Sequence, residues 1–213
     1  MCNIIATGSS GNAVQVDGSL LLDCGVPFKA LSGCFRDLKL ILLTHVHSDH
    51  FNRATIKRLS GERPTVRFGC CEWLVEPLVA CGVRPQNIDV YEPLETYSYG
   101  DISVSPVPLV HCVPNCGYKL KMAGKRILYA TDTGSLDGIE AKGYDLYLIE
   151  ANHTEQDIQE RMERKLASGE FCYEYRAAVD HLSKEKADAF LAENAAVGSR
   201  YIYLHQHKER EAC

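Results

Sequence analysis

The segment Thr44-His45-Val46-His47-Ser48-Asp49-His50 follows directly on the apolar run Leu40-Ile41-Leu42-Leu43. A continuous apolar run of this kind is the pattern of a strand covered on both faces. The chain therefore passes abruptly from a buried sheet to three imidazoles and a carboxylate. Asp is almost never fully buried without a partner, and clustered imidazoles bring several polar nitrogens that each need one. Folding alone gives no reason to place such groups at the end of a core strand. They are, however, the donors that zinc and its neighbours in the first transition row select. Two such sets this close would hold two metals side by side, an arrangement that implies hydrolysis.

Residues two apart on an extended chain point the same way, so His45 and His47 can grip one ion together. Asp49 and His50 come after the chain turns toward a helix expected to begin near Phe51, and face a second ion. The N-terminus of that helix adds partial positive charge, which favours a nearby oxygen anion. Each metal needs three or more protein ligands, and further donors occur where strands are expected to end. These are His111 in Pro108-Leu109-Val110-His111, Asp132 in Tyr129-Ala130-Thr131-Asp132, and His205 after Tyr201-Ile202-Tyr203-Leu204. His207 would point the same way as His205 on an extended chain. His153 reads as structural or peripheral. Asp23, in Leu22-Asp23-Cys24-Gly25, fits two roles equally, a turn residue or a carboxylate that orients a ligand imidazole.

Length and composition bound the rest. The chain has 213 residues, 46% hydrophobic and 24% charged, as expected for one globular domain over 1–213. A formal net charge of −5 argues against a blanket polyanion-binding surface. Arg161, Arg164, Lys165 and Arg176 form the only basic-leaning stretch near His181, and interleaved Glu160 and Glu163 make it a solvated helix face. No basic leader precedes the first apolar stretch and no apolar run reaches membrane-spanning length, so a cytoplasmic address is expected. The ten cysteines are scattered; most read as small buried hydrophobes in a reducing compartment.

Strands are expected at Ile4–Ala6, Ala13–Val16, Leu20–Leu22, Leu40–Thr44 and Val66–Phe68, with helices over Phe51–Leu59 and Glu72–Cys81. The pattern then restarts. Ile102–Val104 alternates, Tyr118–Lys121 and Arg126–Tyr129 flank an Ala123-Gly124 turn, and Leu146–Ile149 is again apolar. Glu155–Leu166 reads as helical, Ser183 as the N-cap of a helix over Lys184–Ala196, and Tyr201–Leu204 as a last strand. Two strand-rich halves, each with helices, define an α/β protein.

In this order and spacing, His45-x-His47-x-Asp49-His50, His111, Asp132 and His205 resemble the five ordered motifs of the metallo-β-lactamase-fold hydrolases, over nearly the whole chain. The resemblance implies a four-layer αβ/βα sandwich, two mixed β-sheets flanked by helices, with two divalent ions, zinc first and manganese also reasonable. It implies that His45, His47 and His111 bind one metal, that Asp49, His50 and His205 bind the other, and that Asp132 bridges them. A strand ending in Glu150, then His181-Leu182-Ser183 before a helix, then His205, is similar to the ribonuclease Z-like and WalJ/YycJ-like branches. There it implies a proton-donating His181 supported by Glu150, acting beside Asp49 on phosphodiesters. Gly8-Ser9-Ser10-Gly11-Asn12 looks like the N-terminal GSxGN loop of the WalJ/YycJ-like branch, which makes Ser9, Ser10 and Asn12 candidate substrate contacts. As bare sequence it is a hairpin turn.

The expected activity is thus that of a hydrolase using a dinuclear-metal-activated hydroxide on phosphodiester bonds, of nuclease or cyclic-nucleotide phosphodiesterase type. The alternative in the same fold is hydrolysis of thioesters, lactones or lactams. Two divalent ions, two carboxylates and one hydroxide leave a surplus of about one positive charge, which suits an anionic substrate. The chain has no inserted arm for gripping transfer RNA, which speaks against a long polymer and leaves short nucleic acids or nucleotides.

Overall fold

The computed structural model describes residues 2–206. The chain divides into two compact units, Met1–Glu95 and Thr96–Cys213, and each is built on one six-stranded sheet.

In the first unit the strands β1 (Cys2–Ala6), β2 (Ala13–Val16), β3 (Leu20–Leu22), β4 (Leu40–Leu42), β5 (Arg67–Cys71) and β6 (Ile88–Tyr91) lie side by side in chain order. The first three pair antiparallel. Asp17 and Gly18, at φ 48° and 71°, lie in the three-residue β2–β3 turn, where left-handed backbone favours short polar residues and glycine. From β3 onward the pairing is parallel, and the crossovers carry α1 (Arg53–Glu62) and α2 (Val75–Ala80). Ile56 and Leu59 of α1 and Leu78 of α2 pack with Leu21, Ile41 and Phe68 of the sheet in one core.

The two boundaries that flank the histidine motif differ from the sequence expectation. The strand expected to reach Thr44 ends at Leu42, because the Thr44 backbone N–H is taken by a side chain, that of Asp23. The helix expected near Phe51 begins at Arg53. Phe51 is held in a bridge with Cys24, and Asn52 caps the helix by accepting from Thr55 N–H.

The second unit holds β7 (Tyr97–Tyr99), β8 (Ile102–Leu109), β9 (Asn115–Met122), β10 (Lys125–Ala130), β11 (Leu146–Glu150) and β12 (Arg200–Leu204), again adjacent in chain order. Strands β7 to β10 are antiparallel, and β10, β11 and β12 parallel. Ala123 and Gly124, at φ 48° and 72°, form the expected hairpin turn. The helices are α3 (Glu155–Ser168), α4 (Glu174–Asp180) and α5 (Lys184–Asn194). Ser183 caps α5 as expected, accepting from Lys186 N–H. Ala187, Phe190 and Leu191 of α5 pack on Leu128, Tyr147 and Ile149 of the sheet. The result is two mixed sheets with helices on each, the expected fold class. Among the described residues, no helix is long and apolar enough to cross a membrane.

The cysteines behave largely as read. Cys24, Cys34, Cys70, Cys71, Cys81 and Cys116 are buried, and burial pushes the Cys70 thiol up to about 12.

Candidate metal centre

In the first unit the arrangement begins with Asp23, just past β3, fully buried and at φ 58°. Asp is one of the few residues that enters this region at modest cost. Its Oδ1 accepts from the Thr44 N–H at 3.0 Å and from the Thr44 hydroxyl at 2.9 Å, and its Oδ2 from His50 Nδ1–H at 2.7 Å. The Thr44 hydroxyl, its proton given to Asp23, accepts from His45 Nδ1–H at 2.9 Å. One carboxylate thus orients two imidazoles, His50 directly and His45 through Thr44, and turns each Nε2 away from that bond; His50 Nε2 lies 2.8 Å from Asn12 Nδ2. Of the two roles that the sequence allowed Asp23, the structure selects the orienting one.

The donor atoms then converge. His45 Nε2 and His47 Nδ1 are 3.1 Å apart; two imidazoles on a tetrahedral zinc, at about 2.0–2.1 Å each, would stand about 3.3 Å apart. Asp49 Oδ2 lies 3.7 Å from His50 Nε2. The turn that carries them is stitched down. Asp49 O accepts from Asn12 N–H at 2.7 Å and Asn12 Nδ2 at 3.1 Å, and His50 O accepts from Cys24 N–H at 2.9 Å. A Cβ on Gly25 would fall 1.7 Å from Asp49 O, so only glycine admits this approach. Asn12 is buried, its amide also bonded to Gly8, while Ser9 and Ser10 are exposed.

In the second unit five side chains come from five successive segments. His111 follows β8, Asp132 follows β10, Glu150 ends β11, His181 caps α4 and His205 follows β12. Glu150 is the hub, fully buried. Its Oε1 accepts from His181 Nδ1–H at 2.7 Å and faces His205 Nδ1 at 3.2 Å. Its Oε2 accepts from the Thr133 and Leu182 N–H groups at 2.9 and 3.2 Å. Burial alone would raise the Glu150 carboxyl, but the hydrogen bonds from His181 and His205 outweigh it and hold the group below the usual carboxylate range. For His181 the balance is reversed in sign. Burial disfavours the imidazolium, yet the Glu150 bond and the Glu150 and Asp132 charges raise its pKa above the ordinary histidine value.

His111 Nδ1–H donates to Asp180 O at 3.0 Å. Its Nε2 lies 3.8 Å from Asp132 Oδ2, and His205 Nε2 lies 3.5 Å from Asp132 Oδ1. Donor atoms of Asp132, Glu150, His181 and His205 all lie within 4.8 Å of one another. The His181 and His205 rings stack at 5.2 Å with 10° between their planes. Asp132 and His205 both sit at positive φ, 57° and 52°, a strain that fits a site held by its surroundings. Asn152 Nδ2 donates to His205 O at 2.9 Å, pinning that turn.

With Nδ1 anchored at His45, His50, His111 and His181, imidazoles and carboxylates gathered this way fit a divalent cation; a group of solvated surface histidines would not be held individually. Within the first unit the structure brings together His45, His47, Asp49 and His50, and within the second His111, Asp132, Glu150, His181 and His205. His153 stands apart: it is buried, bridged to Ser183, and burial lowers its pKa. His207 lies outside the described residues. Lys165 pairs with Glu174 and Arg176 with Asp180, so half of the basic stretch is internally compensated. Sequence reasoning did not single out Thr44, Asn115 or Asn152 as contacts of the site; each acts through a residue far away in the chain.

The Beta-lactamase superfamily domain matches residues 20–205, and the chain belongs to that family. With this fold and donor cluster the class is that of metal-dependent hydrolases. Exodeoxyribonuclease WalJ of Streptococcus pneumoniae is 27% identical over 227 residues, covering 97% of this chain and 81% of the relative. The metallo-β-lactamase fold protein YhfI from Bacillus subtilis superposes with a TM-score of 0.73 at 16% identity, over 96% of this chain and 85% of YhfI. The short form of human tRNase Z gives 0.70 at 16% identity, over 97% of this chain and 92% of that enzyme.

Proposed function

We propose that this protein is a metal-dependent phosphodiesterase, of nuclease or cyclic-nucleotide type, with His181 as the proton donor. In this reading His45, His47 and His111 hold one divalent ion, Asp49, His50 and His205 hold a second, and Asp132 serves both. Family membership and the anchored Nδ1 atoms of His45, His50 and His111 support that assignment; nitrogen and oxygen donors in this mixture suit zinc and also manganese. Two such ions, when bound, lower the pKa of an attacking water and neutralise charge on the oxygens of a displacement at phosphorus.

The remaining chemistry belongs to the chain's own residues. A departing alkoxide needs a proton, and a group that supplies it must hold one near neutral pH. His181 does so because Glu150 anchors its Nδ1–H at 2.7 Å and favours the imidazolium. Its Nε2–H is then the proton available to a leaving oxygen. Glu150 orients both His181 and His205 from one carboxylate, so proton donor and ligand are set relative to each other by a single buried group. Ser9 and Ser10, exposed on the loop anchored by Asn12, are the candidate contacts to a substrate; Asn12 itself holds the loop against Asp49.

The Glu150–His181 pair is the observation that carries the phosphodiesterase reading, since a departing alkoxide must be protonated whereas the thiolate of a thioester leaves without a donor. The relative named an exodeoxyribonuclease and the tRNase Z likeness point the same way. The test compares turnover of bis(p-nitrophenyl) phosphate, short DNA and RNA, and cyclic nucleotides with turnover of a thioester and a cephalosporin, in protein of measured metal content. Phosphodiester cleavage is expected. Cleavage of the thioester or cephalosporin alone would overturn the reading.

A further inference from the structure

Asn115 takes no part in the chemistry above, yet it is buried and opens β9 at the level of the second unit's donor cluster. Its Nδ2 donates to Asp132 O at 2.7 Å and to Thr131 O at 3.2 Å. Its Oδ1 is buried with no hydrogen-bond partner among the described residues. The amide cannot be turned over, because its oxygen would then face two carbonyl oxygens.

The topology explains why these carbonyls need a side-chain donor. Strands β9 and β10 pair only as far as Tyr118 opposite Tyr129. At Asn115 the backbone of β9 pairs with Leu109 of β8 alone. Thr131 and Asp132 are buried just past the end of β10, and Asp132 turns left-handed there at φ 57°. Backbone that leaves a ladder in a buried place must find other partners. On one side the turn is tied by Glu150, which accepts from Thr133 N–H. On the other side Asn115 supplies both donors from one nitrogen. Serine and threonine carry one donor, lysine a charge, and aspartate would set an anion against two carbonyls. A buried side chain selected only for its own packing would not leave its oxygen unsatisfied.

We infer that Asn115 is a positioning residue: its amide holds the Thr131-Asp132 backbone in the left-handed turn that aims the Asp132 carboxylate at His111 and His205. The inference rests on the proposal that Asp132 is a metal ligand. Asn194 provides the comparison, because it is equally buried and also bonds main chain through both ends of its amide, accepting from Ala141 N–H and donating to Phe190 O. It touches none of the donor residues.

The experiment titrates zinc into the full chain against a chromophoric chelator, records the cobalt d–d absorption of each variant, and measures metal-free melting. Asn115→Ala is expected to weaken zinc binding about 10–100-fold, the usual loss when a group that orients a ligand is removed, and to change the cobalt spectrum. Asn115→Ser, keeping one donor, should fall between. Asn194→Ala should lower the metal-free melting temperature while leaving zinc affinity within about twofold. Wild-type zinc affinity and cobalt spectrum in Asn115→Ala would overturn the inference, as would an equal loss in Asn194→Ala. So would failure of both Asn115 variants to fold while Asn194→Ala folds, since the residue would then serve folding itself. A wild-type protein that binds no divalent metal would instead sink the functional proposal.

Discussion

Glu150 and Asp23 solve the same problem with different parts. Each is a fully buried carboxylate, which is tolerable only because every oxygen is met by a donor. Each spends that requirement on orienting imidazoles. Replacing Glu150 by Gln removes the charge that favours the His181 imidazolium and sets an amide N–H against donors. Turnover of substrates with poor leaving groups should fall by about 10²-fold or more. His181→Ala should give the same pattern, with bis(p-nitrophenyl) phosphate affected much less than an alkyl phosphodiester; equal losses on both would reduce His181 to a structural role. Asp23→Asn is expected to act on the other side of the chemistry, weakening metal binding about 10–100-fold. Chelator competition would check it, and unchanged affinity would contradict the role assigned to Asp23.

At the scale of elements, two glycines set how closely the turns approach their neighbours. A Cβ on Gly25 would lie 1.7 Å from Asp49 O, and one on Gly134 would lie 1.9 Å from Val179 O. Neither is relieved by moving a side-chain tip, because the obstacle is main chain. Gly25→Ala should therefore displace the Asp49-His50 turn, and Gly134→Ala the segment that delivers Asp180 and His181. Each should cost about 1–3 kcal/mol, as overpacking does. Denaturant melts would measure this, and loss of metal for the first against loss of turnover for the second would separate them. The elements that the sequence hid have physical reasons for being hidden. Strands β6 and β7 have four and three residues, too short to display a period. Helix α4 has no side-chain N-cap bond. Strand β8 contains Pro106 and Pro108, yet its pairing with β7 reaches only Val104, so their missing N–H groups fall where no β7 partner stands.

Over the whole molecule, each unit repeats one plan: antiparallel strands leading into parallel ones, with donors where strands end. Metal that binds only the folded chain must stabilise it. At a concentration a hundred times its dissociation constant the gain is about 2.7 kcal/mol, which for a chain of this size corresponds to about 5–10 °C in melting temperature. Stripping metal with a chelator should lower melting by that order and abolish turnover, and zinc or manganese should restore both. An unchanged melt would count against a bound cation. The sequence by itself pointed to the fold class and to the candidate donors, because apolar runs announce core strands and His-x-His-x-Asp-His places candidate donors within a few residues of one another. It also pointed to Glu150 and His181 through their resemblance to known branches. Only the tertiary structure decided how those donors are held. Asp23 meets Thr44 across 21 residues, Asn115 meets Asp132 across 17 and Glu150 meets His181 across 31. Such bonds depend on where separate strands end beside one another, and no periodicity along the chain encodes that.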